Sequence, residues 1–94
     1  MQASEMNLDQ CHAWLRANGV ELTSDPLLVM SLDAAAAAMP ERFTQSIEQY
    51  ETGWTAKAMS WDCTLNTGVI EADTELLARF RLAVACRMAM KEKA

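Results

Sequence analysis

Apolar positions along this chain recur at helical spacing, and the alternation expected of strands is nearly absent. The pattern predicts a first helix over Leu8 to Ala17. Leu8, Cys11 and Leu15 share one face with Trp14 beside it, and Asn7 and Gln10 stand where a capping box would. Asn18–Gly19 suits a left-handed stop, and Val20 to Leu22 reads as an extended link with two apolar anchors. Asp25–Pro26 is a start signal for a second helix running through Ala34–Ala38 to Met39, where Pro40 ends it. The alanines favour helix and leave only methyl groups between this helix and a neighbour.

From Pro40–Glu41 the apolar positions step through Phe43, Ile47, Tyr50, Trp54, Ala58, Trp61 and Leu65. Gaps of four and three approach a coiled-coil seam, so a single third helix to about Leu65 is expected. Gly53 weakens it by ~1 kcal/mol relative to alanine, and Asn66–Gly68 closes it. Val69 and Ile70 cross over to a fourth helix capped by Asp73, with Glu75 in its first turn. Leu76, Leu77, Phe80, Val84 and Met88 form one wide apolar face there. Leu82, Ala85, Cys86, Ala89 and Met90 make much of the rest apolar too.

The expectation is therefore an all-α, four-helix single domain spanning residues 1–94, with residues 1–6 flexible and one long helix. A helix over residues 41–65 would be about 37 Å long. A compact domain of this size is roughly 32 Å across, so the helix overhangs its domain or breaks at Gly53. A last helix apolar nearly all round needs cover on more than one side. Both points favour a helical homodimer over a four-helix monomer in which a broken third helix folds back. The interface, with the dimer mate or with another protein, is expected at Phe43, Ile47, Tyr50, Trp54, Trp61, Leu65, Phe80, Val84 and Met88.

Composition adds limits. The chain has 94 residues, is 51% hydrophobic and carries a formal charge of −5. That apolar content excludes a disordered chain, and a domain this small is marginal without help. Charge is uneven: residues 1–75 hold twelve acids against Arg16, Arg42 and Lys57, whereas residues 76–94 hold Glu92 against Arg79, Arg81, Arg87, Lys91 and Lys93. The basic end is expected to pack beside acidic neighbours or form interface ion pairs rather than read DNA. Direct nucleic-acid binding is not expected of so acidic a surface. Three cysteines without close spacing, Cys11, Cys63 and Cys86, suit a reducing cytoplasm better than a secreted disulfide framework. The start of the chain lacks a signal-peptide pattern, and the stretch from Leu27 to Met39 is too short and interrupted to span a bilayer.

Chemistry is thin. Cys11 and His12 are adjacent, so on a helix they point about 100° apart and cannot pair; a buried thiol and a surface imidazole are expected. Cys11, His12, Cys63 and Cys86 are zinc-ligand types but include no close ligand pair. Glu71, Asp73 and Glu75 lack the density of a calcium loop. No phosphate loop or nucleophile turn is present. No enzyme, cofactor or metal is expected.

The helical stretches "FTQSIEQYETGWTAKAMSW" and "ELLARFRLAVACRMAM", with the size and acidity of the chain, resemble the small bacterial anti-activators that sequester LuxR-type quorum-sensing regulators. The resemblance implies a non-enzymatic protein that inhibits a transcription factor by covering it. Two alternatives stand beside it. One is an acidic phage or mobile-element inhibitor that mimics DNA. The other is a small-molecule sensor with a pocket lined by Trp14, Tyr50 or Trp54.

Overall fold

Residues 43–60, expected as the middle of a long helix, form a β-hairpin in the computed structural model, which describes residues 1–93. The all-α, helical-bundle expectation is thereby corrected to α+β. The α-helices among the described residues are α1 (Leu8–Ala17), α2 (Leu32–Ala38) and α3 (Glu75–Lys93), and the strands are β1 (Phe43–Tyr50), β2 (Gly53–Ser60) and β3 (Ile70–Ala72). The sheet is antiparallel throughout, in the order β1-β2-β3.

The helix signals held where they were local. Asn7 accepts from the Gln10 N–H at 2.8 Å and Gln10 Oε1 accepts from the Asn7 N–H at 2.9 Å, closing the capping box of α1. Gly19 takes a left-handed φ of 85° just past its end. The second predicted helix is split. Asp25 Oδ1 accepts from the Leu27 N–H at 2.8 Å ahead of a 3-10 turn at Leu28–Met30, and Ser31 then restarts the chain as the N-cap of α2, its hydroxyl accepting from the Ala34 N–H. The start of α3 is capped by the Thr74 hydroxyl, which accepts from the Leu77 N–H, rather than by Asp73.

The hairpin closes over Glu51 and Thr52, with Tyr50 opposite Gly53 and an unbroken one-to-one register back to Phe43 opposite Ser60. Gly53 has φ of 153°, and a Cβ placed on it would stand 2.6 Å from the Ala72 carbonyl oxygen of β3. Far from weakening a helix, this glycine lets β2 approach β3.

Helix α3 is the centre of three layers. Its Ala78, Leu82 and Cys86, at i, i+4 and i+8, pack on Ala56, Ala58, Ile70 and Ala72 of the sheet. The opposite side, Phe80, Ala83 and Val84, packs on Cys11 and Leu15 of α1 and on Ala35 and Ala38 of α2. Burying Phe80 alone contributes about 2–3 kcal/mol. This explains why the helix is apolar nearly all round: both sides are covered by its own chain, and no dimer is needed for that purpose. Ala3 and Met6, in the segment expected to be flexible, lie in the same core.

The arginines of α3 tie elements together through backbone carbonyls. Arg81 donates to the Met6 carbonyl at 2.6 Å and to the Glu71 carbonyl at 2.7 Å, and Arg87 donates to the Ala38 carbonyl at the end of α2 at 2.9 Å. Arg79 pairs with Glu75 within the helix at 3.1 Å. The expected ion pairs with acidic neighbours are thus largely replaced by carbonyl bonds.

Candidate binding surface

Pleating sorts the hairpin residues onto two faces. Phe43, Ile47, Trp54, Ala56 and Ala58 turn toward α3. Thr44, Ser46, Lys57 and Met59 turn away, and with Trp61 and Cys63 they line an open hollow of about 510 Å³ on the uncovered face. Trp61 is 68% exposed and Met59 is also exposed. Tyr50, 54% exposed, lies on the same face, and its hydroxyl donates to Glu48 at 2.6 Å. That bond raises the Tyr50 pKa above its ordinary value.

The turn carrying Trp61 is tightly bonded. Asp62 Oδ1 accepts from the Ser60 hydroxyl at 2.6 Å, the Thr64 hydroxyl at 2.7 Å and the Thr64 N–H at 3.1 Å. The Ser60 hydroxyl first, then Thr64, holds this carboxyl well below the usual carboxylate range. The Trp61 N–H donates to the Arg42 carbonyl at 2.9 Å, so the backbone of the tryptophan is anchored to the residue that leads into β1. Cys63 occupies the left-handed position of the turn, with φ of 62°.

The expected interface residues are therefore divided. Tyr50 and Trp61 stand on the open face. Phe43, Ile47 and Trp54 are half-buried on the covered face, and Leu65 and Met88 are half-buried elsewhere. Phe80 and Val84 are enclosed in the first core. Sequence reasoning missed Thr44, Ser46 and Lys57, while Met59, which with Met30, Met39, Met88 and Met90 is of a type that can line an adaptable groove, does line this one. The signal for them was the alternation of Trp54, Ala56 and Ala58 with Thr55, Lys57 and Met59. It also missed that Leu27, Leu28 and Leu32 join Met30 in a second exposed apolar surface around the 3-10 turn.

The titratable groups named from sequence are dispersed. Cys11 lies in the first core, Cys86 in the second, and Cys63 is exposed; all three are free. Burial pushes the Cys11 thiol up to about 11 against an opposing effect of Arg81, and the Cys86 thiol up to about 12 against Arg87. His12, expected at the surface, is buried edge-on against Phe80, with ring centroids 4.5 Å apart. Among the described residues no group of three or more His, Cys, Asp or Glu side chains converges on a common point. Trp14 lines a hollow with Arg87 and Lys91, whereas Tyr50 and Trp54 line another at the hairpin end. No described helix is long and apolar enough to cross a membrane. No protein-family model, curated protein or solved structure matches this chain.

Proposed function

We propose that this chain is a non-enzymatic, cytoplasmic regulatory binder that captures another protein on the open face of its sheet, with Trp61 as anchor. The carrying observation is the exposure of Trp61 on a turn whose backbone is held by Asp62 and Arg42. Tryptophan dominates binding energy where interfaces are measured. A turn whose backbone is held before binding loses little further backbone freedom on contact. Met59 offers an adaptable neighbour, and Thr44, Ser46 and Lys57 supply polar groups at the edge of the same hollow.

A transcriptional regulator, inhibited by being covered, is the target class we carry forward from the resemblance, which now rests on size, acidity and the last helix, since Phe43–Ser60 form a hairpin. The α+β architecture replaces the helix-on-helix mode of capture with a sheet face. The test is affinity capture from the native cytoplasm with the wild-type chain and with Trp61→Ala, followed by reconstitution of the retained protein from purified components. Wild type should retain a transcriptional regulator, and Trp61→Ala should bind it at least tenfold more weakly with an unchanged circular-dichroism spectrum. Equal binding by both proteins would remove the open face from the mechanism. A retained partner of another class would overturn the target while leaving the binder.

A further inference from the structure

The two edges of the sheet are treated differently. In antiparallel pairs, consecutive residues alternate between bonding their partner strand and pointing their backbone groups away from it. The phase is fixed by observed bonds. Ala58 N–H donates to the Thr67 hydroxyl and the Ala58 carbonyl accepts from the Thr67 N–H, so Ala58 points away from β1. The Trp61 N–H to Arg42 carbonyl bond sets the other phase. It follows that Phe43, Gln45, Ile47 and Gln49 of β1 direct their N–H and C=O groups outward, and among the described residues these groups have no bonded partner.

On the β3 edge the residue with outward groups is Glu71, whose carbonyl is taken by Arg81, and the turn at Ala3–Glu5 packs beside that strand. Among the described residues strand β1 has no such cover. It contains no proline, no lysine and no bulge, the usual devices that keep an edge from pairing. Helix α3 lies mainly over β2 and β3, so Phe43 and Ile47 remain half-exposed beside the open edge.

We infer that β1 pairs antiparallel with β1 of a second copy about a two-fold axis at Gln45, joining two sheets into one of six strands. The register is selected by complementarity. With Gln45 opposite its own symmetry mate, Phe43 faces Ile47 of the other copy on the covered face, a contact occurring twice. Moving the axis to Ser46 sets Phe43 against Gln49 and Ile47 against Gln45. An axis at Ile47 leaves Phe43 beyond the opposing strand. The Gln45-centred pairing supplies about six main-chain hydrogen bonds and sets an aromatic ring against a β-branched side chain on both sides of the axis. The axis is perpendicular to the sheet, so both copies of α3 share one face and both copies of Trp61 share the other. The inference does not depend on the capture of another protein.

The test is site-directed crosslinking of the full chain in a Cys63→Ser background, where Cys11 and Cys86 are buried. The Cα atoms of the Gln45 pair would lie about 5.5 Å apart, within disulfide reach. Mild oxidation of Gln45→Cys should give a covalent dimer at least tenfold faster than Gln49→Cys at the same concentration. Preferential crosslinking of Ser46→Cys or Ile47→Cys would overturn the register, and crosslinking no faster than Gln49→Cys would overturn the pairing. Independently, sedimentation of the wild-type chain should show a dimer, and Gln45→Lys, which sets two like charges face to face, should be a monomer of unchanged circular dichroism. A monomeric wild type across the micromolar range would refute the assembly even if partner capture succeeds.

Discussion

At the scale of the residue, His12 carries the clearest unresolved cost. Its ring is buried, and its Nε2 atom has no hydrogen-bond partner among the described residues. Burial, aided by Arg16 and opposed by Asp9, lowers its pKa below the ordinary 6.5, so the folded protein holds the neutral ring. The unfolded chain takes up a proton below about pH 6.5; the folded chain does so only at lower pH. Stability is thus fully present above pH 6.5 and falls as pH drops through the window between the two values. His12→Leu removes both the unpaired nitrogen and the titration. Its urea midpoint at pH 7.5 should equal or exceed that of the wild type, and it should lose less stability on going to pH 5.5. Parallel losses would show that His12 is not the titrating group. The burial of His12 was not legible from its neighbours, because Cys11 and Leu15 define a narrow face and the ring is covered only when Phe80 arrives from a distant helix.

At the scale of the element, the arginines of α3 act as staples. Arg81 joins the N-terminal segment, β3 and α3 through two carbonyls. Arg81→Met keeps much of the apolar stem but leaves both carbonyls without that donor, and should destabilise the fold by about 2 kcal/mol in urea unfolding. A change under 0.5 kcal/mol, roughly the surface-substitution range, would mean that water replaces the guanidinium without loss. The elements themselves were unevenly readable. Helix α1 was legible to its ends because its signals are local: a reciprocal cap at one end and Asn18–Gly19 at the other. The hairpin was misread because a gap of four is also a multiple of two. Steps such as Phe43 to Ile47 and Trp54 to Ala58 keep one face in a helix and in a strand alike. The gaps of three decide between them. Ile47 and Tyr50, and likewise Ala58 and Trp61, lie on opposite faces of the sheet, where a helix would have set them side by side.

At the scale of the molecule, α3 belongs to both cores, and this makes cooperative unfolding the expectation. Cys11 sits in the core beneath α1 and α2, and Cys86 in the core beneath the sheet. Their raised pKa values and burial keep both thiols unreactive near neutral pH. A thiol reagent should modify Cys63 at once. Cys11 and Cys86 should then react together at one slow rate that rises with urea. Modification of Cys86 well before Cys11, followed by mass spectrometry, would show that the sheet opens separately from the helical layer. The predicted long helix also carried a prediction of overhang and hence of sharing apolar flank with a second chain. The sheet removes that reason, since it supplies the second cover for α3. What remains uncovered among the described residues is a strand edge, an open face with Trp61 and the exposed apolar side chains around the 3-10 turn.

The linear order of residues by itself determined the capped helix α1, the continuous helical character of Glu75–Lys93, the stop at Pro40 and the requirement that the last helix be covered on two sides. Each follows from groups within a few positions of one another or from the periodicity of a single element. Only the tertiary structure decided that residues 43–60 are extended, that Gly53 serves a close strand contact and that Trp54 and Trp61 part to opposite faces. A strand acquires its hydrogen bonds and its buried face from segments remote in the chain. Its pattern therefore stays ambiguous until β3 and α3 close over it.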